Sequence, residues 1–205
     1  DNSSGKMDND NTMSFPCLTR ESKKILGKKD LFDFGLEKTI DEKDLLPLFE
    51  KSEKLSHGFD FANAKSTDKK IEEMSLDISN PCDIKCTDRT VGTILGSEIQ
   101  RTFGSSLTED SFRVHFSGGA GQSFGAFCPK GLTLVLSGDA NDGFGKGLSG
   151  GKVVVKKSEQ FSGNAEENII IGNVALFGAT SGQAFINGVA GERFRVRNSG
   201  ATAVV

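Results

Sequence analysis

The stretch Leu132-Thr-Leu-Val-Leu-Ser-Gly-Asp-Ala-Asn-Asp-Gly-Phe-Gly-Lys-Gly-Leu-Ser-Gly-Gly-Lys-Val-Val-Val155 holds the pattern that decides the fold. Two apolar runs of strand length flank a corner built from glycine, Asn and Asp, residues that adopt positive φ cheaply. The pattern recurs on either side. Phe112-Arg-Val-His-Phe116 alternates apolar and polar residues, and Asn168-Ile-Ile-Ile171, Ala184-Phe-Ile186 and Arg193-Phe-Arg-Val196 each read as a further short strand. Short strands separated by Gly-rich corners are the signature of stacked repeats, in which apolar residues are buried between neighbouring coils. The expectation is a mainly β solenoid, with the Phe-Gly pairs 124–125, 144–145 and 177–178 at one stacked position. A β-sandwich is the rival, but it favours two-residue turns between longer strands.

Composition divides the chain. Residues 1–80 hold 30 of the 53 charged side chains, and 18 of the 25 glycines lie between residues 112 and 200. Residues 1–14, rich in Asn, Asp and Ser, are expected to be a disordered arm. Residues 15–83 read as an irregular linker with short helices. Asp41-Glu-Lys-Asp44 suggests a helix start, and Pro47 a short or late helix. The domain proper is expected over 84–205, opening with a helix at about 88–103. There Val91, Ile94, Leu95, Ile99 and Phe103 recur at helical spacing, Thr87 or Asp88 is placed to cap the start, and Gly104 to end it. The lack of an initiator Met and the small, apolar end Ala-Thr-Ala-Val-Val205 suggest a fragment truncated within its solenoid.

A net charge of −3 makes no case for binding nucleic acid or an anionic membrane, and no apolar run reaches the roughly 20 residues that span a bilayer. Cys82 and Cys86 are the closest of four cysteines (with Cys17 and Cys128). The two histidines, His57 and His115, show no paired spacing, so ordinary thiols are favoured over zinc. Gly143-Phe-Gly-Lys-Gly147 invites a phosphate-loop reading with Lys146 and Ser149. A strand follows it where a dinucleotide fingerprint needs a helix, and the Walker order of Lys and Ser is missing. Ser123 within Gly121-Gln-Ser-Phe-Gly125 outlines a nucleophile elbow, but no histidine follows His115 to serve it. Asp139, Asn141 and Asp142 suit an Asx-rich corner better than a cation site.

Several ordered strings carry a family resemblance. Gly119-Ala-Gly-Gln-Ser-Phe-Gly-Ala-Phe127, Gly138-Asp-Ala-Asn-Asp142 running into Gly145-Lys-Gly-Leu-Ser-Gly-Gly151, and Glu167-Asn-Ile-Ile-Ile-Gly-Asn-Val174 are three of them. Phe177-Gly-Ala-Thr-Ser-Gly182 and Gly188-Val-Ala-Gly-Glu-Arg-Phe-Arg-Val-Arg-Asn-Ser-Gly200 complete the set. Together they resemble the C-terminal GXGXG domain of the glutamate synthase large subunit. Thr87-Asp-Arg-Thr-Val-Gly-Thr93 and, more weakly, Ile25-Leu-Gly-Lys-Lys-Asp-Leu31 resemble segments upstream of it.

The resemblance implies a right-handed β-helix that packs against the glutaminase and synthase domains of one polypeptide and supports the ammonia passage between them. The parent enzyme makes glutamate from glutamine and 2-oxoglutarate, using FMN and an iron–sulfur cluster, with an electron-donor subunit or domain as a further partner. It implies no catalytic, cofactor-binding or metal-binding residue in this chain, which is expected to be non-catalytic alone and cytoplasmic or plastidic. The residues that match the motif, and are expected to have a structural, interdomain role, are Gly121, Gln122, Ser123, Gly125, Asp139, Asn141, Asp142, Gly143, Gly145, Lys146, Gly147, Gly150, Gly191, Glu192, Arg193, Arg197 and Asn198. The family commonly has Tyr near Phe144 and at Phe177, and this chain contains no Tyr. Two alternatives stand beside this reading: a related subunit of another redox complex such as formylmethanofuran dehydrogenase, and a stand-alone ligand-binding solenoid.

Overall fold

Columns of apolar side chains, one from each strand, organise the molecule. In a computed structural model that describes residues 37–55 and 76–205, Val114, Leu134, Val153, Ala184 and Ala203 stand side by side in register. Phe116, Leu136, Val155 and Ile186 form a parallel column. Val114, Leu134, Val153 and Ala184, with the whole second column, are buried. The alternate residues Thr133, Lys152, Gln183 and Thr202 form a row on the other side of the same strands.

The strands are β1 (Leu76–Ile84), β2 (Phe112–Ala120), β3 (Leu132–Ala140), β4 (Ser149–Lys156), β5 (Ile169–Ile171), β6 (Ser181–Asn187), β7 (Val189–Ala190) and β8 (Thr202–Val204). All belong to one parallel sheet in the order β1-β2-β3-β4-β6-β8, while β5 pairs with β3 and β7. This corrects the expected right-handed β-helix. The protein is an eight-stranded parallel sheet with helical elements between strands, an α/β arrangement that does not close into a barrel. Parallel pairing requires a crossover after every strand, so strand-plus-glycine-corner spacing is as much the mark of this sheet as of a solenoid. An all-parallel sheet also excludes the sandwich.

A second correction concerns Arg193-Phe-Arg-Val196, which is a turn and not a strand. Its alternation of polar and apolar residues reflects alternating left- and right-handed backbone, which has the same two-residue period as a strand.

Helix α2 (Thr93–Phe103) lies between β1 and β2 and buries Leu95, Ile99 and Phe103. Gly104, at φ 56°, ends it by donating its N–H to the Gln100 carbonyl. Neither Thr87 nor Asp88 caps its start. The carboxylate of Asp41 does so, accepting the N–H groups of Gly92, Ile94 and Leu95 at 2.8, 2.9 and 3.0 Å. Asp41 lies on a π-helical turn (Asp41–Leu45) that continues into α1 (Leu46–Leu55). The helix thus passes through Pro47, with the wider turn ahead of the proline that lacks an N–H to give. A capping box initiates the segment, Thr39 Oγ1 receiving the Glu42 N–H and Glu42 Oε2 the Thr39 N–H. Phe49 completes the packing, with its ring 5.9 Å from Phe103 and 5.7 Å from Phe112.

The architecture is that of the unit Lys38–Val205. The expected arm at 1–14, the resemblance at 25–31, Cys17 and His57 lie outside the described residues, as does much of the linker. Among the described residues no helix is long and apolar enough to cross a membrane.

Candidate functional site: a ladder of left-handed turns

Four six-residue turns carry most of the motif residues: Gln122–Phe127, Asp142–Gly147, Asn173–Gly178 and Glu192–Arg197. In each, the second, fourth and sixth residues are left-handed. These are Ser123, Gly125 and Phe127, then Gly143, Gly145 and Gly147, then Val174, Leu176 and Gly178, and finally Arg193, Arg195 and Arg197, all with φ between 57° and 73°. The turns bond to one another through their backbones. The second-position N–H groups of Ser123, Gly143 and Val174 donate forward to the carbonyls of Asp142, Asn173 and Glu192 at 2.8, 2.9 and 2.9 Å. The fourth-position N–H groups of Gly145, Leu176 and Arg195 donate back to Phe124, Phe144 and Ala175. The sixth-position groups of Phe127, Gly147 and Gly178 donate forward again, to Lys146, Phe177 and Val196. Gly143-X-Gly145-X-Gly147 is therefore the unstrained version of a backbone that two of the other turns adopt with one glycine and the last with none.

Third-position residues fill the interior. The rings of Phe124 and Phe144 stack at 6.2 Å with a 6° interplanar angle. Ala175 takes the next place in this column, since its carbonyl and the N–H beside it bond to the neighbouring turns. Phe177 lies two residues further on, so its expected stacking with Phe124 and Phe144 is corrected.

The first positions form a second ladder. Asp142 Oδ1 accepts the Asn173 N–H at 2.7 Å, and Asn173 Oδ1 accepts the Glu192 N–H at 2.8 Å. The same oxygens occupy the space that a Cβ would need at Gly172 and Gly191. Gln122, one methylene longer, makes no such bond, and its buried Oε1 has no partner among the described residues. In the step after it, Asn141 stands where Gly172 and Gly191 stand later in the ladder. Gly121, before the first turn, abuts the backbone carbonyls of Asp88 and Cys86.

Gln122, Ser123, Asp142, Gly143, Lys146, Val174 and Phe177 line an open cavity of about 340 Å³. It holds no His or Cys, and one Asp142 oxygen is committed to a backbone N–H. Asp139 is on β3 opposite Gly119. Gly150 is on β4 against Lys130. Asn198 closes the last turn, its side chain exchanging two hydrogen bonds with the Ala201 backbone at 2.8 and 2.9 Å. The turns thus gather most motif residues, of which Gln122, Ser123, Asp142, Gly143 and Lys146 line the cavity, while Asp139, Gly150 and Asn198 lie off the turns.

A second polar site went unread in the sequence. Asp110 receives Lys152 Nζ at 2.7 Å and Thr133 Oγ1 at 2.5 Å, with Arg113 at 3.4 Å. Partial burial opposes its charge, but these donors, Lys152 foremost, hold its carboxyl below the usual range. Asp110, Thr133 and Lys152 line a groove of about 470 Å³ beside the starts of β3, β4 and β6. Only the register of β3 on β4, which sets Thr133 beside Lys152, brings them together.

Among the described residues the cysteines do not come together as a cluster or metal site needs. Cys128 is fully buried and burial pushes its thiol up to about 12, so it remains protonated. No group of three or more His, Cys, Asp or Glu suited to a metal occurs among the described residues.

Residues 62–205 match the family model described as "GXGXG motif". The chain is 58% identical over 137 residues to "Glutamate synthase [NADPH] large chain" of Bacillus subtilis (strain 168), covering 66% of this chain and 9% of that one. It is 46% identical over 178 residues to "Glutamate synthase [NADH]" of Schizosaccharomyces pombe (strain 972 / ATCC 24843), covering 79% and 8%. It is 51% identical over 119 residues to "Ferredoxin-dependent glutamate synthase 2" of Synechocystis sp. (strain ATCC 27184 / PCC 6803 / Kazusa), covering 58% and 8%. The chain spans less than a tenth of the length of these relatives. It belongs to the GXGXG motif family and, within it, is similar to a stretch of the glutamate synthase large chains.

Proposed function

We propose that this chain is the structural module of a glutamate synthase, holding the glutaminase and synthase domains of the same polypeptide in register and supporting the ammonia passage between them. FMN and the iron–sulfur cluster belong to other parts of the parent enzyme in this reading, as does contact with an electron-donor subunit or domain. The motif residues Gln122 to Gly147 and Gly191 to Asn198 act through backbone geometry.

The observation that carries the reading is the turn ladder. The backbone N–H groups at the left-handed positions of its first three turns are all spent on neighbouring segments. Such a structure supplies rigidity and surface, which a site built on facing domains requires.

The test is Gly145→Val in the full-length parent enzyme. A Cβ at Gly145 meets Leu176 and Val153, and a β-branched residue at φ 60° is strained, so the turn is disturbed locally. The expected result is that glutamine hydrolysis and ammonia-dependent synthesis each persist while glutamine-dependent synthesis falls about tenfold or more. Turnover of glutamine or 2-oxoglutarate by the purified 205-residue chain would overturn the reading.

A further inference from the structure

The later steps of the ladder make one bond from the same two parts. An Asx oxygen at the first position of one turn accepts the first N–H of the next, Asp142 serving Asn173 and Asn173 serving Glu192. A glycine, Gly172 or Gly191, leaves room for that oxygen. Both parts differ at the step from the first turn to the second. Gln122 stands where the others have Asx, and Asn141 where the others have glycine. A Cβ at that glycine position takes the space of the oxygen, and Gln122 carries its own oxygen one methylene further.

Two complementary groups are left unused at this step. Gln122 Oε1 is buried and has no donor among the described residues. The Asp142 N–H has no acceptor among them. The step lies inside the ladder: Gly125 donates to the Val91 carbonyl on one side, and Gly143 to the Asn173 carbonyl on the other. A buried acceptor without a donor is costly, and native chains retain few. Gln122 and Asp142 both line the open cavity of about 340 Å³. Lys146 lines it too, exposed and in no ion pair among the described residues, together with the apolar side chains of Val174 and Phe177.

A ligand that completes the step must donate to Gln122 Oε1 and accept from the Asp142 N–H. An ammonium cannot accept and a carboxylate cannot donate, whereas a primary carboxamide does both along one planar edge. The cavity is far larger than the share of one water, about 30 Å³. Its cation suits a carboxylate, and its apolar wall suits the methylenes between the two ends. We propose that this cavity binds a small molecule with a primary carboxamide at one end and a carboxylate at the other. The carboxamide bridges Gln122 Oε1 and the Asp142 N–H, and the carboxylate meets Lys146. The inference goes beyond the interdomain reading and does not rest on it.

Titration of the ¹⁵N-labelled chain with succinamate tests the site, with succinate and 3-hydroxypropanoate as controls. Succinamate is expected to shift the Asp142 and Gly143 amides and the Gln122 side-chain amide first, with a Kd of about 1–10 mM. Succinate has no N–H to give and 3-hydroxypropanoate offers a single atom, so each is expected to bind at least about tenfold more weakly. Gln122→Met, which keeps the length and removes the acceptor, is expected to lose about tenfold in affinity. The double variant Gln122→Asn, Asn141→Gly restores both parts of the ladder bond. It is expected to raise the melting temperature, slow hydrogen exchange at the Asp142 amide and abolish the succinamate shifts. No shift with succinamate up to about 50 mM, equal binding of either control, or undiminished binding by Gln122→Met or by the double variant would each overturn the proposal. Loss of coupling in the full-length Gly145→Val enzyme bears only on the interdomain reading, so the two can fail separately.

Discussion

Gly172 and Gly191 precede their turns at the point where an Asx oxygen of the turn before reaches across to cap the next N–H. A methyl group at either position displaces that oxygen and frees a hydrogen bond. Gly172→Ala and Gly191→Ala are expected to cost about 1–3 kcal/mol each in urea unfolding, the range for losing a bond and straining its surroundings. Asn141→Ala, at the equivalent step where Gln122 supplies no such oxygen, is expected to stay within about 0.5 kcal/mol. A cost at Asn141 equal to that at Gly191 would remove the ladder as the cause. Gly147 has a different constraint: the ring of Phe127, itself left-handed and exposed, lies over the space its Cβ would take. Cys128 gives a chemical test of burial. With its thiol raised to about 12, it is expected to resist a disulfide reagent at pH 8 until the chain unfolds, whereas the exposed Cys86 reacts in the folded protein. Prompt modification of Cys128, located by peptide mapping, would contradict the packing of β3 and β4 around it.

Among elements, the contact that most alters the sequence reading is Asp41 on α2. A contact that spans about a quarter of the chain cannot be seen in a capping pattern, because the capping residue lies 51 to 54 positions upstream of the N–H groups it serves. Asp41→Ala leaves three N–H groups without their acceptor and is expected to cost about 2–3 kcal/mol. Burial is the largest influence on Asp41 and raises its carboxyl above the usual value, outweighing the three backbone donors that lower it. The folded state therefore binds this proton more tightly than the unfolded state. Its contribution to stability is full below the unfolded pKa and fades as pH rises through the folded one. Asp41→Asn is expected to abolish that component, so the difference in stability between wild type and variant should vary with pH above 4. A constant difference from pH 4 to 7 would reject the assignment. Pro47 belongs to the same scale: the sequence marks a helix breaker, but the π-helical turn ahead of it lets the helix pass.

At the scale of the molecule, Asp110 ties the loop before β2 to Thr133 on β3 and Lys152 on β4. Its carboxyl is held low, so the sign is opposite to that of Asp41. The stabilisation is present above the unfolded carboxylate pKa and is lost as pH falls through the folded value. Acid titration of stability is expected to show a loss below about pH 4 that Asp110→Asn removes, worth about 1 kcal/mol once partial exposure is allowed for. Identical acid profiles for the two proteins would discount the tie.

The sequence by itself determined the β-rich character of residues 112–190 and the glycine-cornered spacing of most strands. It also gave the apolar face of α2 and the family, because each of these is written in local periodicity or in ordered motifs. It did not determine how the strands were arranged. A strand followed by a glycine corner is compatible with a solenoid or with an α/β parallel sheet, and only the pairing of β1 ahead of α2 decided for the latter. Nor could it separate Arg193-Phe-Arg-Val196 from a strand, since left-handed alternation repeats with the period of a pleat. The first-position ladder, the Asp110–Lys152 pair and the Asp41 cap unite residues distant along the chain. Such contacts follow from register and packing, which tertiary structure alone fixes.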